Sequence, residues 1–130
     1  MEELRMTHRE RIYIAAPLAT GTPDPDLVGN KRGAVLQYIR NCHRMIEAGA
    51  KLIKMGYAPF IPALDLLTGI LDGTMRFEDY FGVSEAWLQV SESFVILATS
   101  EGALKEKETA ERLGLTIYTS LEAVPDRSGC

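Results

Sequence analysis

The sequence contains no run of about 18 apolar residues, so no bilayer-spanning helix is expected. It has two cysteines, Cys42 and Cys130, too few for a disulfide framework. A reducing, cytoplasmic setting is the corresponding expectation. The two histidines, His8 and His43, have no His or Cys partner at ligand spacing, so no metal centre is expected. There is no phosphate-binding P-loop and no Gly-x-Gly-x-x-Gly, and hence no signal for a nucleoside triphosphate or a dinucleotide cofactor; no cofactor is expected. A Gly-x-Ser-x-Gly nucleophile elbow is also missing. Basic residues are not in excess: 14 face 18 acids, for a net charge of −4, which argues against a general nucleic-acid polymer binder. Met1–Glu10 is polar and lacks the apolar core of a signal peptide.

What remains is an ordinary globular composition, 46% hydrophobic and 25% charged over 130 residues, sized for one domain. A chain of this length buries roughly two thirds of its unfolded surface and needs no covalent staple. No repeat, linker or low-complexity tract divides it. A single domain over 11–125 is expected, with frayed termini at 1–10 and 126–130.

Arg11–Ala16 is rich in β-branched and aromatic residues and stops at Pro17, as a buried strand does. A long loop, Leu18–Lys31, follows it, and loops of that length are usually functional or disordered. From Gly33 to Met55, apolar positions recur at Val35, Ile39, Cys42, Ile46, Gly49 and Ile53, predicting a helix with that face buried. Gly56 is its natural stop, and Cys42 reads as a small buried apolar group. Ala58–Pro62 reads as a second strand, placed at a sheet edge by Pro59. Leu64–Leu71 suggests a helical turn or two, and Val83–Ser91 another helix. Phe94–Ala98 is a fully apolar strand. Ser100 opens a helix to Leu113, stopped by Gly114, before a last strand at Leu115–Tyr118. Ser120 is placed to cap a final turn.

Strand and helix alternate, so the expected fold class is α/β: a doubly wound, flavodoxin- or Rossmann-like parallel sheet of four to five strands in three α/β/α layers. In such folds ligands bind beyond the carboxyl ends of the strands. Here those ends are Ala15–Pro17, Pro62–Asp65, Ala98–Gly102 and Tyr118–Ser120. The helix after Phe94–Ala98 carries an acid in the wrong stripe. Ala103, Ala110 and Leu113 define its apolar face, and Glu106 lies nearly in line with them, while Glu101, Glu108 and Glu111 fall to the solvated side. A partly buried carboxylate is costly unless it is used or paired. Ser100 fits an N-cap, and Gly102 leaves room for a ligand near free N–H groups. Trp87 reads as core, and Phe77, Tyr80 and Phe81 cluster in a loop-like segment.

Ser100-x-Gly102-Ala103-x-x-Glu106-x-x-x-Ala110 after an apolar strand resembles the signature of the nucleoside 2-deoxyribosyltransferase superfamily, which includes the 2′-deoxynucleoside 5′-monophosphate N-glycosidases. Tyr13-Ile-Ala-Ala-Pro17 is similar to that family's opening strand, with Ala16 where glycine is usual. Trp87-Leu88 followed by Ser91-Glu92 resembles its Trp-Leu and following Asp, one methylene longer here. The resemblance spans about residues 11–118 and implies cleavage or transfer at the N-glycosidic bond of a nucleoside or nucleoside 5′-monophosphate. It implies Glu106 as the nucleophile attacking C1′, with Tyr13 orienting its carboxylate. Glu92 or Asp65 would protonate the leaving base. Ala16, Pro17, Ser100 and Gly102 would line the sugar and its 5′ group, with Lys31, Arg32 and Arg76 as candidate phosphate partners. A homodimer or higher homo-oligomer is implied as well, with Gly33–Met55 or Phe77–Phe81 as the contact. The alternative is a module of the same fold that binds a nucleotide without turning it over.

Overall fold

A computed structural model describes residues 8–17, 31–65, 74 and 77–129. Strands β1 (Arg11–Ala15), β2 (Ala58–Phe60), β3 (Ser93–Ile96) and β4 (Thr116–Tyr118) form one sheet of order β2-β1-β3-β4 with every pairing parallel. Helix α1 (Lys31–Lys54) connects β1 to β2, α2 (Phe77–Val90) precedes β3, and α3 (Glu101–Arg112) joins β3 to β4. The chain moves outward from β1 in one direction and from β3 in the other. The neighbouring carboxyl ends of β1 and β3 are therefore the topological switch point of a small doubly wound fold.

Alternation along the two central strands divides the core. Ile12, Ile14 and Val95 face α1, where Cys42, Met45 and Leu52 are buried against them. Tyr13, Ala15, Phe94 and Ile96 face the other way, toward Leu88 of α2 and Ala103 and Ala110 of α3. Each large side chain so buried contributes about 1.5–3 kcal/mol of transfer free energy. Gly49 has a packing reason: a Cβ there would lie 2.3 Å from Ile61 Cδ1, so any larger residue would have to push the Ile61 side chain aside. Gly56 and Gly114, with φ of +96° and +79°, end α1 and α3 in the left-handed conformation that glycine adopts without strain.

Several expectations from the sequence are corrected. The buried face of α1 is Cys42, Met45, Ala48, Gly49 and Leu52, whereas Ile39, Ile46 and Ile53 are exposed. Helix α1 carries two apolar stripes about a third of a turn apart, and small Ala48 and Gly49 choose the one that fits against the sheet. The Val35 side chain lies outside the described residues. Helix α2 starts at Phe77, six residues earlier than the pattern from Val83 implied, so the aromatic segment is helical. Trp87 is half exposed rather than core. Leu113 is exposed too, as the C-cap of α3. In the tail expected to be frayed at 126–130, Arg127 is held to the body, and Cys130 lies outside the described residues. Val124 is buried, Arg127 N–H donates to Met55 O at 2.8 Å, and the Tyr57 hydroxyl donates to Pro125 O at 2.7 Å. At the other end, Arg9 donates to Tyr57 O at 2.9 Å, and Glu10 lies 3.7 Å from Arg127. Where a helical turn or two was expected at Leu64–Leu71, Pro62–Asp65 is a 3-10 turn. Residues 66–73 and Arg76 lie outside the described part, as does 18–30.

Candidate functional site

Register builds the site's floor. Tyr13 pairs with Phe60 across β1–β2 and with Phe94 across β1–β3, so three aromatic rings line up on the face beneath α2 and α3. The Tyr13 ring centroid is 5.3 Å from that of Phe60 and 5.8 Å from that of Phe94, the latter stacked at 5°. These contacts fix the ring of a fully buried tyrosine, so its hydroxyl is held in one place. That hydroxyl donates to the carboxylate of Glu106.

Glu106 reaches it because α3 begins where β3 ends. Ser100 is extended and caps the helix, its Oγ accepting from Ala103 N–H at 3.1 Å. Ala103 and Ala110 then seat the helix on the sheet, and Glu106, between them, is turned to the inner shoulder. Burial pushes its carboxyl above the usual glutamate range, and the Tyr13 bond offsets part of that rise.

A shallow open hollow of about 40 Å³ lies beside Glu106, between α2 and α3. Ser84, Glu85 and Leu88 line it from α2, and Lys105, Glu106 and Thr109 from α3. The volume is room for a few waters, in a depression open to solvent. Lys105 Nζ lies 3.3 Å from Glu101, and Thr109 Oγ1 donates to Lys105 O at 3.1 Å. Ser84, Glu85, Lys105 and Thr109 were not singled out in the sequence. The available signal was the spacing of Ser84, Glu85 and Leu88 at i, i+1 and i+4, which puts all three on one helix face.

The remaining sequence candidates divide by place. Ser100 and Gly102 stand at the carboxyl end of β3, and a Cβ on Gly102 would meet nothing within 4 Å, so space is open there. Ala16 follows the strand alternation to the α1 side, packing against the cluster of Ile12 and Ile14, and so faces away from Glu106. Pro17 is half-buried at the end of β1. Asp65 closes the 3-10 turn after β2; its side chain, like those of Lys31 and Arg32, lies outside the described part.

Glu92 requires a correction. It precedes β3, so it sits at the amino end of the strands, opposite the carboxyl-end crevice. Its carboxylate accepts from Arg11 N–H at 3.0 Å and lies 3.0 Å from His8 Nε2 and 3.4 Å from Arg11 Nε. The Arg11 backbone bond, with help from His8, holds its carboxyl below the usual range. A group that binds its negative charge so firmly is a poor proton donor to a leaving base. Among the described residues, no three His, Cys, Asp or Glu side chains gather as metal ligands, and no helix is long and apolar enough to cross a membrane. No protein-family model matches the sequence, and no curated protein matches it.

Proposed function

We propose that this chain cleaves or transfers the N-glycosidic bond of a nucleoside or nucleoside 5′-monophosphate, with Glu106 as the nucleophile. One observation carries the reading: a half-buried carboxylate, held by a buried phenol, borders a shallow open hollow between α2 and α3. The resemblance of Tyr13–Pro17 and Ser100–Ala110 to the nucleoside 2-deoxyribosyltransferase superfamily supplies the substrate class. Its other implications, a homo-oligomer in the cytoplasm, belong to the same proposal.

In this mechanism Glu106 attacks C1′ as the C1′–N bond breaks. The bond's electron pair leaves with the base, which takes a proton from an acid. The transition state is oxocarbenium-like, so positive charge growing at C1′ favours ionised Glu106 and works against the rise that burial imposes. Tyr13 holds the carboxylate in line with the anomeric carbon. Glu85, whose residue borders the same hollow from α2, is the acid in place of Glu92. Water or a second base then attacks C1′, gives its proton back to Glu85 and frees Glu106.

The test is release of free base from a panel of nucleosides and 5′-monophosphates, followed by chromatography. Wild type releases base and Glu106→Gln does not, with unchanged circular dichroism. Full release by Glu106→Gln overturns the reading. Thermal stabilisation by these ligands without any release favours a module that binds without turnover.

A further inference from the structure

Two helices leave apolar side chains in solvent, and charge sets them apart. On α1, Leu36, Ile39, Ile46 and Ile53 are between 39% and 50% exposed, at steps of three and seven, so they form one stripe. Arg40, Arg44 and Lys51, four and seven residues apart, form a second exposed stripe, and exposed His43, Glu47 and Ala50 lie between the two. Six of the chain's 14 basic residues and one of its 18 acids lie on α1, giving this helix +5 and the rest of the chain −9. On α2, by contrast, exposed Val83, Trp87 and Val90 accompany three acids and no base.

The cations of α1 also find no counter-charge inside the protein. Lys105 and Lys107 of α3 each lie 3.3 Å from a glutamate four residues away. Among the described residues, no acid lies within ion-pair distance of Arg40, Arg44, Lys51 or Lys54, and the one acid of α1, Glu47, lies 3.1 Å from His43 instead. Arg9 adds a cation at the end of the helix, donating to Ile53 O at 3.1 Å. Exposed aliphatic surface rimmed by charge marks a contact surface.

We propose that the outer face of α1 docks on the surface of an anionic phospholipid bilayer. Headgroups supply the negative charge that the basic stripe lacks inside the protein, and the acyl boundary takes up Leu36 and the isoleucines. Lys and Arg stems lie along apolar surface while their heads reach phosphate, so both stripes are satisfied together. A nucleic-acid backbone offers the isoleucines no apolar partner, and a fluid bilayer moulds to a ridge of side chains without a matching groove. The −9 carried elsewhere is repelled by the same surface and turns α1 toward it. Attachment is peripheral, since no described helix is long and apolar enough to cross, and it is sensitive to salt. Helix α1 and the hollow beside Glu106 lie on opposite faces of the sheet, so the docked protein keeps the hollow open to solvent. The proposal does not depend on the glycosidic reading.

The test is sedimentation with vesicles of phosphatidylcholine alone and of equal parts phosphatidylcholine and phosphatidylserine. The chain is expected to sediment with the second only, and high salt to release it. Arg44→Glu and Lys51→Glu each weaken binding about fivefold or more. Ile46→Ser weakens it about fivefold, because less aliphatic surface enters the boundary. Val83→Ser, on the far face, leaves it unchanged. Circular dichroism checks that every variant folds. Trp87 is the only tryptophan and belongs to α2, so its emission holds steady while binding saturates. A blue shift of that emission overturns the proposal in favour of insertion through α2. Full binding by Ile46→Ser overturns it in favour of charge attraction alone, and equal sedimentation with both vesicles overturns the anionic requirement and the proposal with it. Failure to sediment with either vesicle overturns it outright, and capture of α1 by polyglutamate in that case assigns the face to an acidic protein surface.

Discussion

Glu92 and Glu106 are the same side chain at opposite ends of one sheet. Glu92 is partly exposed and ringed by charge-stabilising partners: the Arg11 N–H, the Arg11 guanidinium and His8. Glu106 is turned inward, where its hydrogen bond comes from a neutral phenol. The first environment lowers the carboxyl's pKa and the second raises it. Glu92 is thus spent on joining β1 to β3, while the protein bears the cost of keeping Glu106 buried and weakly compensated. Partial burial beside a hollow, only partly offset by one neutral donor, is a pattern found at groups kept for chemistry.

The comparison is broken most directly at the acids themselves. On the proposed mechanism, Glu106→Gln is expected to lower base release by about a thousandfold or more, the loss that removal of a nucleophile brings. Glu92→Gln should change it by less than about threefold, because nothing near Glu92 touches the reacting atoms. Steady-state release assays on both variants check this, and equal losses would erase the distinction between the two sites. Tyr13→Phe comes next, at about 10- to 100-fold, the scale of misplacing a catalytic group. It also has a sign in pH. The Tyr13 bond favours ionised Glu106, so removing it raises that carboxyl further, and the acidic limb of the pH–rate profile moves to higher pH.

Stability runs the other way for the two acids. Glu106 has a folded pKa above its unfolded value, so ionising it costs stability as pH rises from the unfolded value through the folded one. Glu106→Gln is therefore expected to melt higher than wild type above that window and to lose the advantage below it. Gly49→Ala tests the opposite face of the sheet. The new methyl meets Ile61 in a packed core, and a loss of about 1–3 kcal/mol in denaturant unfolding is expected.

The fold was legible in the sequence because each central strand is a continuous apolar run and because α1 and α3 have clear stops in Gly56 and Gly114. Glu106 was legible for a related reason: a charged residue interrupted the buried stripe of a helix directly after a strand. Reading α1 failed where two apolar stripes competed. Ile39, Ile46 and Ile53 are the more hydrophobic, but shape decides the packed face, and Ala48 and Gly49 let the backbone approach the sheet. Glu92 was misplaced because motif resemblance fixes order along the chain and not which edge of the sheet a strand's first residue meets. The hollow was invisible for lack of contact information. Ser84 and Glu85 meet Lys105 and Thr109 only through the packing of α2 beside α3.

Glu92→Gln should cost less than its three partners suggest. Its folded pKa lies below the unfolded value, so its contribution is present above the unfolded pKa and is lost as pH falls through the folded one. The group is partly exposed and screened by solvent, so about 1 kcal/mol or less is expected at neutral pH. The difference from wild type should vanish in acid, and urea midpoints at two pH values read it.

The smallest stability effect sharpens the comparison most. Gly102 lies in the first turn of α3, its φ is not positive, and a methyl there would meet nothing in the protein. Alanine is the better helix former by up to about 1 kcal/mol, less at a helix start, so Gly102→Ala is expected to leave stability unchanged or slightly raised. If Gly102 is kept open for a substrate's 5′ group, the same methyl should raise KM several-fold while leaving kcat nearly intact, since it obstructs binding without touching Glu106. A variant that is as stable as wild type and binds no worse would place the substrate away from the start of α3. The hollow between α2 and α3 would then be the whole of the site.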